Sequence, residues 1–118
     1  MLPYQKRVTR TDEFQNIFKT GVFLRGKYFD FAYKIEEQKN PRAGVIVSNK
    51  VSKKAFLRNK IKRLVRAFFQ ERFLYLEKTS FKFYPTCVVV AKPSCVGVLD
   101  SNLVGELLVL FGKISKDL

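Results

Sequence analysis

The segment from Asn49 to Arg72 constrains this chain most, because it combines a dense set of cations with an apolar repeat. On an α-helix, successive residues lie about 100° apart, so positions three and four apart share a face. The apolar side chains of the segment then form one stripe, made of Leu57, Ile61, Leu64, Val65 and Phe68. The polar side chains form a separate face, made of Arg58, Asn59, Lys62, Arg63 and Arg66. The pattern predicts a helix that packs on a core through one face and presents positive charge on another.

The positive charge of this segment is not balanced locally. The loop before the helix adds three cations, Lys50, Lys53 and Lys54. No Asp or Glu occurs from Lys50 to Gln70, and Arg58, Lys62 and Arg66 repel one another at i,i+4 spacing. A solvated helix face is the ordinary explanation of a charge run, but such a face usually mixes signs. We therefore interpret the segment as a site for a polyanion.

Composition agrees with a polyanionic partner. The 118 residues include 23 Lys and Arg against 10 Asp and Glu, which gives a net charge of +13. Such a charge indicates a nucleic acid or an anionic membrane surface. Length and an apolar content of 47% predict one domain, residues 1–118, that begins with an extended basic arm, residues 1–10. No apolar run could span a bilayer and no signal peptide is evident, so we expect a cytoplasmic protein.

The residue types argue against catalysis by this chain alone. Histidine is absent, which removes the commonest general base, and Cys87 and Cys95 cannot complete a zinc site by themselves. We expect both cysteines to be free thiols, one on a strand and one in a loop. The acidic neighbours Asp12–Glu13 and Glu36–Glu37 project apart on a helix or strand. The sequence therefore predicts no catalytic residue, no metal ligand and no cofactor bound by the protein.

Periodicity predicts the order α-β-β-β-α-β-α, an α+β sandwich with helices packed on one open sheet. The predicted elements are Asp12–Thr20, Val22–Arg25, Tyr28–Ile35, Arg42–Ser48, the basic helix to about Glu77, Thr86–Ala91, and a last helix capped by Asp100 or Ser101. Most of Lys78–Pro85 is predicted to be a connection, with Pro85 at its edge. Thr86–Ala91 is apolar on both faces, as a central strand should be.

Two further patterns concern faces of these elements. In the second strand, one set of alternate residues should face the core, namely Phe29, Phe31, Tyr33 and Ile35. The other set should be open to water or a ligand, namely Tyr28, Asp30, Ala32 and Lys34. In the last helix the predicted buried stripe is Leu103, Val104, Leu107, Leu108, Phe111 and Ile114.

Arg58-Asn59-Lys60-Ile61-Lys62-Arg63-Leu64-Val65-Arg66 resembles the signature R-N-x-x-K-R-x-x-R of the protein subunit of bacterial ribonuclease P. Three other segments are similar to that family in the same order. Asp12-Glu13-Phe14 with Ile17-Phe18-Lys19 and Gly21 resembles its first helix, Gly44–Lys50 its strand before the basic helix, and Val88–Lys92 its last strand. The resemblance extends from about residue 7 to about residue 115.

The resemblance implies more than the residue patterns do. It implies a mixed four-stranded sheet with an unusual left-handed β-α-β crossover, and a monomer bound to a catalytic ribonuclease P RNA that removes the 5′ leader of precursor tRNA. Magnesium is then expected at the active site on the RNA. The implied contacts to that RNA are Arg58, Asn59, Lys62, Arg63 and Arg66, with Lys50, Lys53 and Lys54 beside them. The implied leader cleft contains Phe14, Phe18, Tyr28, Ala32 and Lys34.

The chain departs from the family pattern at two positions. Ala32 stands where the family commonly has an aromatic residue, so Tyr28 or Tyr33 would have to substitute, or the cleft is weaker. Ala67 stands where the family often has Glu, which leaves the helix more positive. Another structured-RNA-binding protein, such as a ribosomal protein or RNA chaperone, is the alternative. An autonomous metal nuclease is disfavoured by the scattered acids, and membrane-surface binding by the need to bury the apolar stripe.

Overall fold

A computed structural model describes residues 2–78 and 82–116 of the chain. It contains three α-helices and four strands in the predicted order. They are α1 (Thr11–Thr20), β1 (Val22–Arg25), β2 (Phe29–Glu37), β3 (Arg42–Ile46), α2 (Ala55–Glu77), β4 (Phe83–Ala91) and α3 (Asp100–Ser115), with short 3₁₀ turns at Tyr4–Lys6 and Pro93–Cys95. The predicted α+β architecture is confirmed.

The four strands form one mixed sheet in the order β1-β2-β4-β3. β2 pairs antiparallel with both β1 and β4, whereas β3 runs parallel to β4. A parallel pair needs a crossover connection, and α2 supplies it. The hand of this connection stays a prediction from the family resemblance. The central place predicted for Thr86–Ala91 is confirmed, since β4 lies between β2 and β3.

The main core lies between one face of the sheet and the helices α2 and α3. Phe29 and Phe31 of β2 are fully buried there, as the alternation predicts. The ring of Phe69 on α2 lies 5.9 Å from that of Phe31 and 6.1 Å from that of Phe111 on α3. This aromatic contact fixes α2 against both the sheet and α3.

A smaller core lies on the other face of the sheet, beneath α1. It consists of Ile17, Ala32 and Val88, with Phe14 and Ile46 partly buried around it. The end of α1 lies so close to β2 that a Cβ atom at Gly21 would be only 2.5 Å from the carbonyl oxygen of Tyr33. The close approach explains a glycine at this helix end.

The N-terminal arm is packed rather than merely extended. Leu2 and Val8 are 1% and 4% exposed. The N–H of Val8 donates to the carbonyl of Ala43 at 2.8 Å, and Arg7 forms a parallel bridge to Ala43. The arm therefore runs along the β3 edge of the sheet. Sequence periodicity could not indicate this, because the two buried residues belong to no repeat.

Three sequence predictions about element limits and packing were wrong. β3 ends at Ile46 rather than at Ser48. β4 begins at Phe83, so Pro85 lies within a strand rather than at the edge of a connection, of which residues 79–81 lie outside the described residues. Proline is tolerated there because β3 begins opposite Thr86, leaving Pro85 with a strand partner on one side. In α3, Leu110 is buried, whereas Leu108, which the predicted stripe included, is 44% exposed.

The two cysteines are free and buried, as expected for structural thiols. Cys87 lies on β4 and Cys95 in the 3₁₀ turn that follows it. Burial raises the pKa of both thiols, which disfavours the reactive thiolate.

Candidate nucleic-acid interface

One side of α2 carries the cationic face that the sequence predicts, and we call it the basic flank. Its members are Arg58, Asn59, Lys62, Arg63 and Arg66. Asn59 and Arg63 are exposed, while Arg58, Lys62 and Arg66 are half-buried. Ile61 and Val65 point into the core, with 8% and 1% exposure. The predicted burial of Ile61 and Val65 is confirmed, but the two faces are not fully separate. Phe69 and Phe73, which fall at nearly the same helical angles as Arg58 and Lys62, are buried as well, so the flank borders the core.

The charges of the basic flank are not neutralised within the fold. Among residues 2–78 and 82–116, no carboxylate forms an ion pair with any of its cations. The guanidinium of Arg58 donates to the carbonyl of Ser52 at 2.9 Å, which ties the entry loop to the helix. The flank is therefore oriented by neutral contacts and keeps its positive charge.

The arm adds a cation to this surface that sequence reasoning did not assign to the site. Arg7 lies close enough to Arg66 to lower the pKa of Arg66, after the larger lowering that burial causes. Arg7 is held there because its Nε donates to the carbonyl of Leu2 at 2.7 Å. Two arginines placed close together repel each other, and a bound anion would offset this repulsion. The basic character of the arm was the signal, but its docking site could not be deduced from sequence.

The loop before α2 extends the same surface. Lys50, Lys53 and Lys54 are all exposed, and the buried Val51 anchors the loop between them. Phe56 follows at 64% exposure, with the Lys54 ammonium 5.9 Å from its ring centre. This exposed ring was not singled out in the sequence. It can stack against an unpaired base, while the lysines contact phosphates.

The other face of the sheet carries the residues expected to form the leader cleft. Phe14 is half-buried over β3, where a Cβ atom at Gly44 would lie 2.7 Å from its Cζ. Phe18 is 36% exposed. Lys34 is half-buried, and its Nζ lies 3.8 Å from Glu36 Oε1. Phe18 and Lys34 are therefore accessible, whereas Phe14 mainly supports α1.

The prediction of the leader cleft was wrong for two residues, Ala32 and Tyr28. Ala32 is 1% exposed beneath α1, so its side chain has no surface left for a ligand. Tyr28 precedes β2 and does not follow the alternation of the strand. Its ring packs against the main core instead, and its backbone N–H donates to Glu106 of α3 at 2.8 Å.

An ion pair connects α1, the arm and β3. Both guanidinium NH groups of Arg42 donate to the carboxylate of Glu13, with Nη2 to Oε1 at 3.0 Å, and Nη2 also donates to the carbonyl of Arg7 at 3.0 Å. The bond to Glu13 is the main cause that raises the pKa of Arg42. Arg7 also neighbours Arg66, so the arm links the Arg42–Glu13 ion pair to the basic flank.

The described residues contain neither a cluster of metal-binding side chains nor a helix suited to span a membrane. Within residues 2–78 and 82–116, no three His, Cys, Asp or Glu side chains lie together in a way that could hold a metal ion. In the same ranges, none of the helices has the length and apolarity needed to cross a membrane.

Comparisons with known proteins agree with one another. A family model described as Ribonuclease P matches residues 2–115. A ribonuclease P protein component of Pseudanabaena is 31% identical over 115 residues, covering 95% of this chain and 99% of that protein. One from Bacillus cereus is 34% identical over 107 residues, covering 89% and 87%.

Two solved structures are similar to the whole fold. The Staphylococcus aureus RNase P protein gives a TM-score of 0.77 at 26% identity, covering 94% of this chain and 95% of that one. The Thermotoga maritima RNase P protein gives 0.71 at 28% identity, covering 88% and 93%.

Proposed function

Because the chain belongs to the ribonuclease P protein family, we propose that it is the protein subunit of a ribonuclease P. In this role it binds the catalytic RNA and the 5′ leader of precursor tRNA, and it promotes removal of the leader to give the mature 5′ end. The protein acts as one copy in the bacterial cytoplasm. Its partners are the ribonuclease P RNA and the precursor tRNA.

The observation that carries this proposal is the uncompensated basic flank of α2. Arg58, Lys62 and Arg66 repeat at i,i+4 on a helix that buried side chains fix in the core. The planar guanidinium group matches phosphate oxygens in a bidentate geometry, and a rigid helix holds several such groups at constant spacing. This arrangement suits the backbone of a folded RNA, with Lys50, Lys53, Lys54 and Arg7 extending the contact.

The side of the sheet that carries Phe14, Phe18 and Lys34, which we call the α1 face, suits a single-stranded leader. Unpaired bases expose their flat faces, and aromatic side chains hold them with little regard to sequence. Phe18 offers an accessible ring and Lys34 an accessible cation on this face. Phe14 keeps α1 in place and adds part of its ring.

Hydrolysis is assigned to the RNA in this proposal. Within residues 2–78 and 82–116 the acids do not cluster in threes, so the side chains described there do not fit a magnesium site of their own. Magnesium at the active site would be held by the RNA. The protein positions the two RNAs: it binds the ribonuclease P RNA through the basic flank and the leader through the α1 face.

The test is to reconstitute the protein with a bacterial ribonuclease P RNA and to measure cleavage of precursor tRNA with progressively shorter leaders. We expect the protein to raise cleavage at low magnesium, and the gain to shrink as the leader is shortened. Replacing Arg58, Lys62 and Arg66 together by Ala should weaken assembly with the RNA and abolish the gain.

Full activity of the triple variant at low magnesium would contradict the proposal. RNA binding without a leader-dependent gain would instead favour a ribosomal protein or RNA chaperone. Cleavage by the protein without RNA would favour a metal nuclease.

A further inference from the structure

Phe23 of β1 lies directly opposite Ala32 in the antiparallel β1–β2 pair. Opposite residues in such a pair project to the same face of the sheet. The side chain of Phe23 therefore belongs to the α1 face, beside the position where the buried methyl group of Ala32 can offer nothing to a ligand. Phe23 is 45% exposed despite its size.

Phe23 and Phe18 form an exposed aromatic pair. Their ring centres are 6.3 Å apart and the rings are tilted by 43°. A base inserted between two rings needs about 7 Å between parallel planes, twice the contact distance of ~3.5 Å. The two rings are too close and too tilted for insertion, so a base would stack on their outward surfaces.

Arg25 places a cation beside this pair. It lies two residues after Phe23 on the same strand, hence on the same face, and its guanidinium carbon is 5.8 Å from the centre of the Phe23 ring. The acid opposite Arg25 is Asp30. The ammonium of Lys92 lies 3.0 Å from Asp30 and offsets its charge. Arg25 therefore remains available for a phosphate.

A flat ring next to a guanidinium group matches the base and phosphate of an unpaired nucleotide. A base pair within a duplex would not expose its face to these rings. A second copy of this chain would bring its own Arg25 and a net charge of +13 to the same patch. An unpaired stretch of RNA is thus the occupant that the chemistry favours.

We propose that Phe23 and Arg25, together with Phe18, form a stacking site for an unpaired leader nucleotide, with Phe23 taking the place of the aromatic residue that position 32 lacks. The site rests on the proposed function and extends it to β1. It accounts for two features of the chain together: the absence of an aromatic side chain at Ala32 of β2, and the exposure of the Phe23 ring on β1 beside it.

The test uses protein assembled with ribonuclease P RNA and measures the Kd for precursor tRNA and for mature tRNA, which lacks the leader. Phe23→Ala should weaken binding of the precursor roughly five- to tenfold, the lower part of the range for stacking, and leave mature tRNA unchanged. Phe23→Trp should preserve the affinity, whereas Phe23→Leu should lose it, because leucine keeps apolar bulk without a flat ring. Arg25→Ala should reduce the slope of log affinity against log salt by about 0.7, the value for one phosphate of a single strand.

Val22→Ala is the matched control. Val22 is 50% exposed on the same strand but pairs with Tyr33 and faces the opposite side, so its loss should leave both affinities unchanged. Three results would overturn the inference. Phe23→Ala could keep the preference of wild type for the precursor, or it could weaken the binding of both tRNAs equally. Phe23→Leu could bind the precursor as tightly as wild type does. Loss of self-association in Phe23→Ala, with leader binding intact, would assign the patch to a protein contact. If wild type itself shows no preference for the precursor, the proposed function fails first.

Discussion

At the scale of single residues, the missing side chain of Gly44 decides how α1 and the arm lie on β3. A Cβ atom there would be 2.7 Å from Phe14 Cζ and 2.9 Å from the carbonyl oxygen of Val8. Both distances are shorter than a real Cβ tolerates. The glycine therefore allows an aromatic ring from one element and backbone from another to meet over the same position.

We expect Gly44→Ala to destabilise the fold by about 1–3 kcal/mol, as overpacking usually does. The Phe14 ring can turn aside, but the Val8 carbonyl belongs to backbone that is hydrogen-bonded to Ala43. Urea unfolding measures the effect. Gly105→Ala is the control of opposite sign: nothing lies within 4 Å of its Cβ position, so alanine should stabilise α3 by about 0.5–1 kcal/mol. A Gly44→Ala protein as stable as wild type would refute the packing argument.

At the scale of elements, one residue of α3 fixes the turn between β1 and β2. The carboxylate of Glu106 accepts hydrogen bonds from the backbone N–H groups of Lys27, Tyr28 and Phe29, the last two at 2.8 and 2.9 Å. A Cβ atom at Gly26 would lie 2.5 Å from the backbone carbonyl oxygen of Phe29, as well as 2.7 Å from Glu106 Oε1, so the turn also needs glycine. α3 thereby positions β1, the strand that carries Phe23 and Arg25.

We expect Glu106→Gln to lower the free energy of unfolding by about 1.5–3 kcal/mol, because an amide offers one acceptor oxygen where three N–H groups converge on a charged carboxylate. The measurement is again urea unfolding. Glu71→Gln serves as the control, since Glu71 is exposed and, among the described residues, pairs only with the neighbouring Arg72, at 3.0 Å. Its change should stay within about 0.5 kcal/mol. Equal effects of the two substitutions would show that Glu106 does not hold the turn.

The elements that sequence could predict are those with a strong period. α2 and the core face of β2 follow from spacing alone, because each buries one face over many residues. The arm could not be predicted, since Leu2 and Val8 are isolated apolar residues that become buried through tertiary contact. The burial of Ala32 has the same origin: alternation gives its face correctly, but the position of α1 over that face is a property of packing.

At the scale of the whole molecule, the acids are distributed so that the basic flank stays charged. Seven ion pairs among the residues described join acids to cations elsewhere, such as Glu13 to Arg42, Glu77 to Lys6 and Asp30 to Lys92. Glu106 is bound to backbone. Eight of the 23 Lys and Arg residues lie between Lys50 and Arg66, and none of the eight forms an ion pair with a described carboxylate. Local charge balance, rather than total charge, identifies the surface that needs a polyanion.

This distribution predicts that position matters more than total charge for RNA binding. Lys62→Ala with Arg66→Ala, and Arg72→Ala with Lys82→Ala, each lower the net charge by two, from +13 to +11. The second pair of cations is already bound to Glu71 and Glu37, at 3.0 and 3.4 Å. Each phosphate contact contributes about 0.7–0.9 to the slope of log affinity against log salt. The first variant should therefore reduce that slope by roughly 1.5 in a salt titration of binding to ribonuclease P RNA, and the second by less than about half of that. Equal reductions would mean that the RNA responds to total charge, and would remove the main physical argument for the basic flank as its binding site.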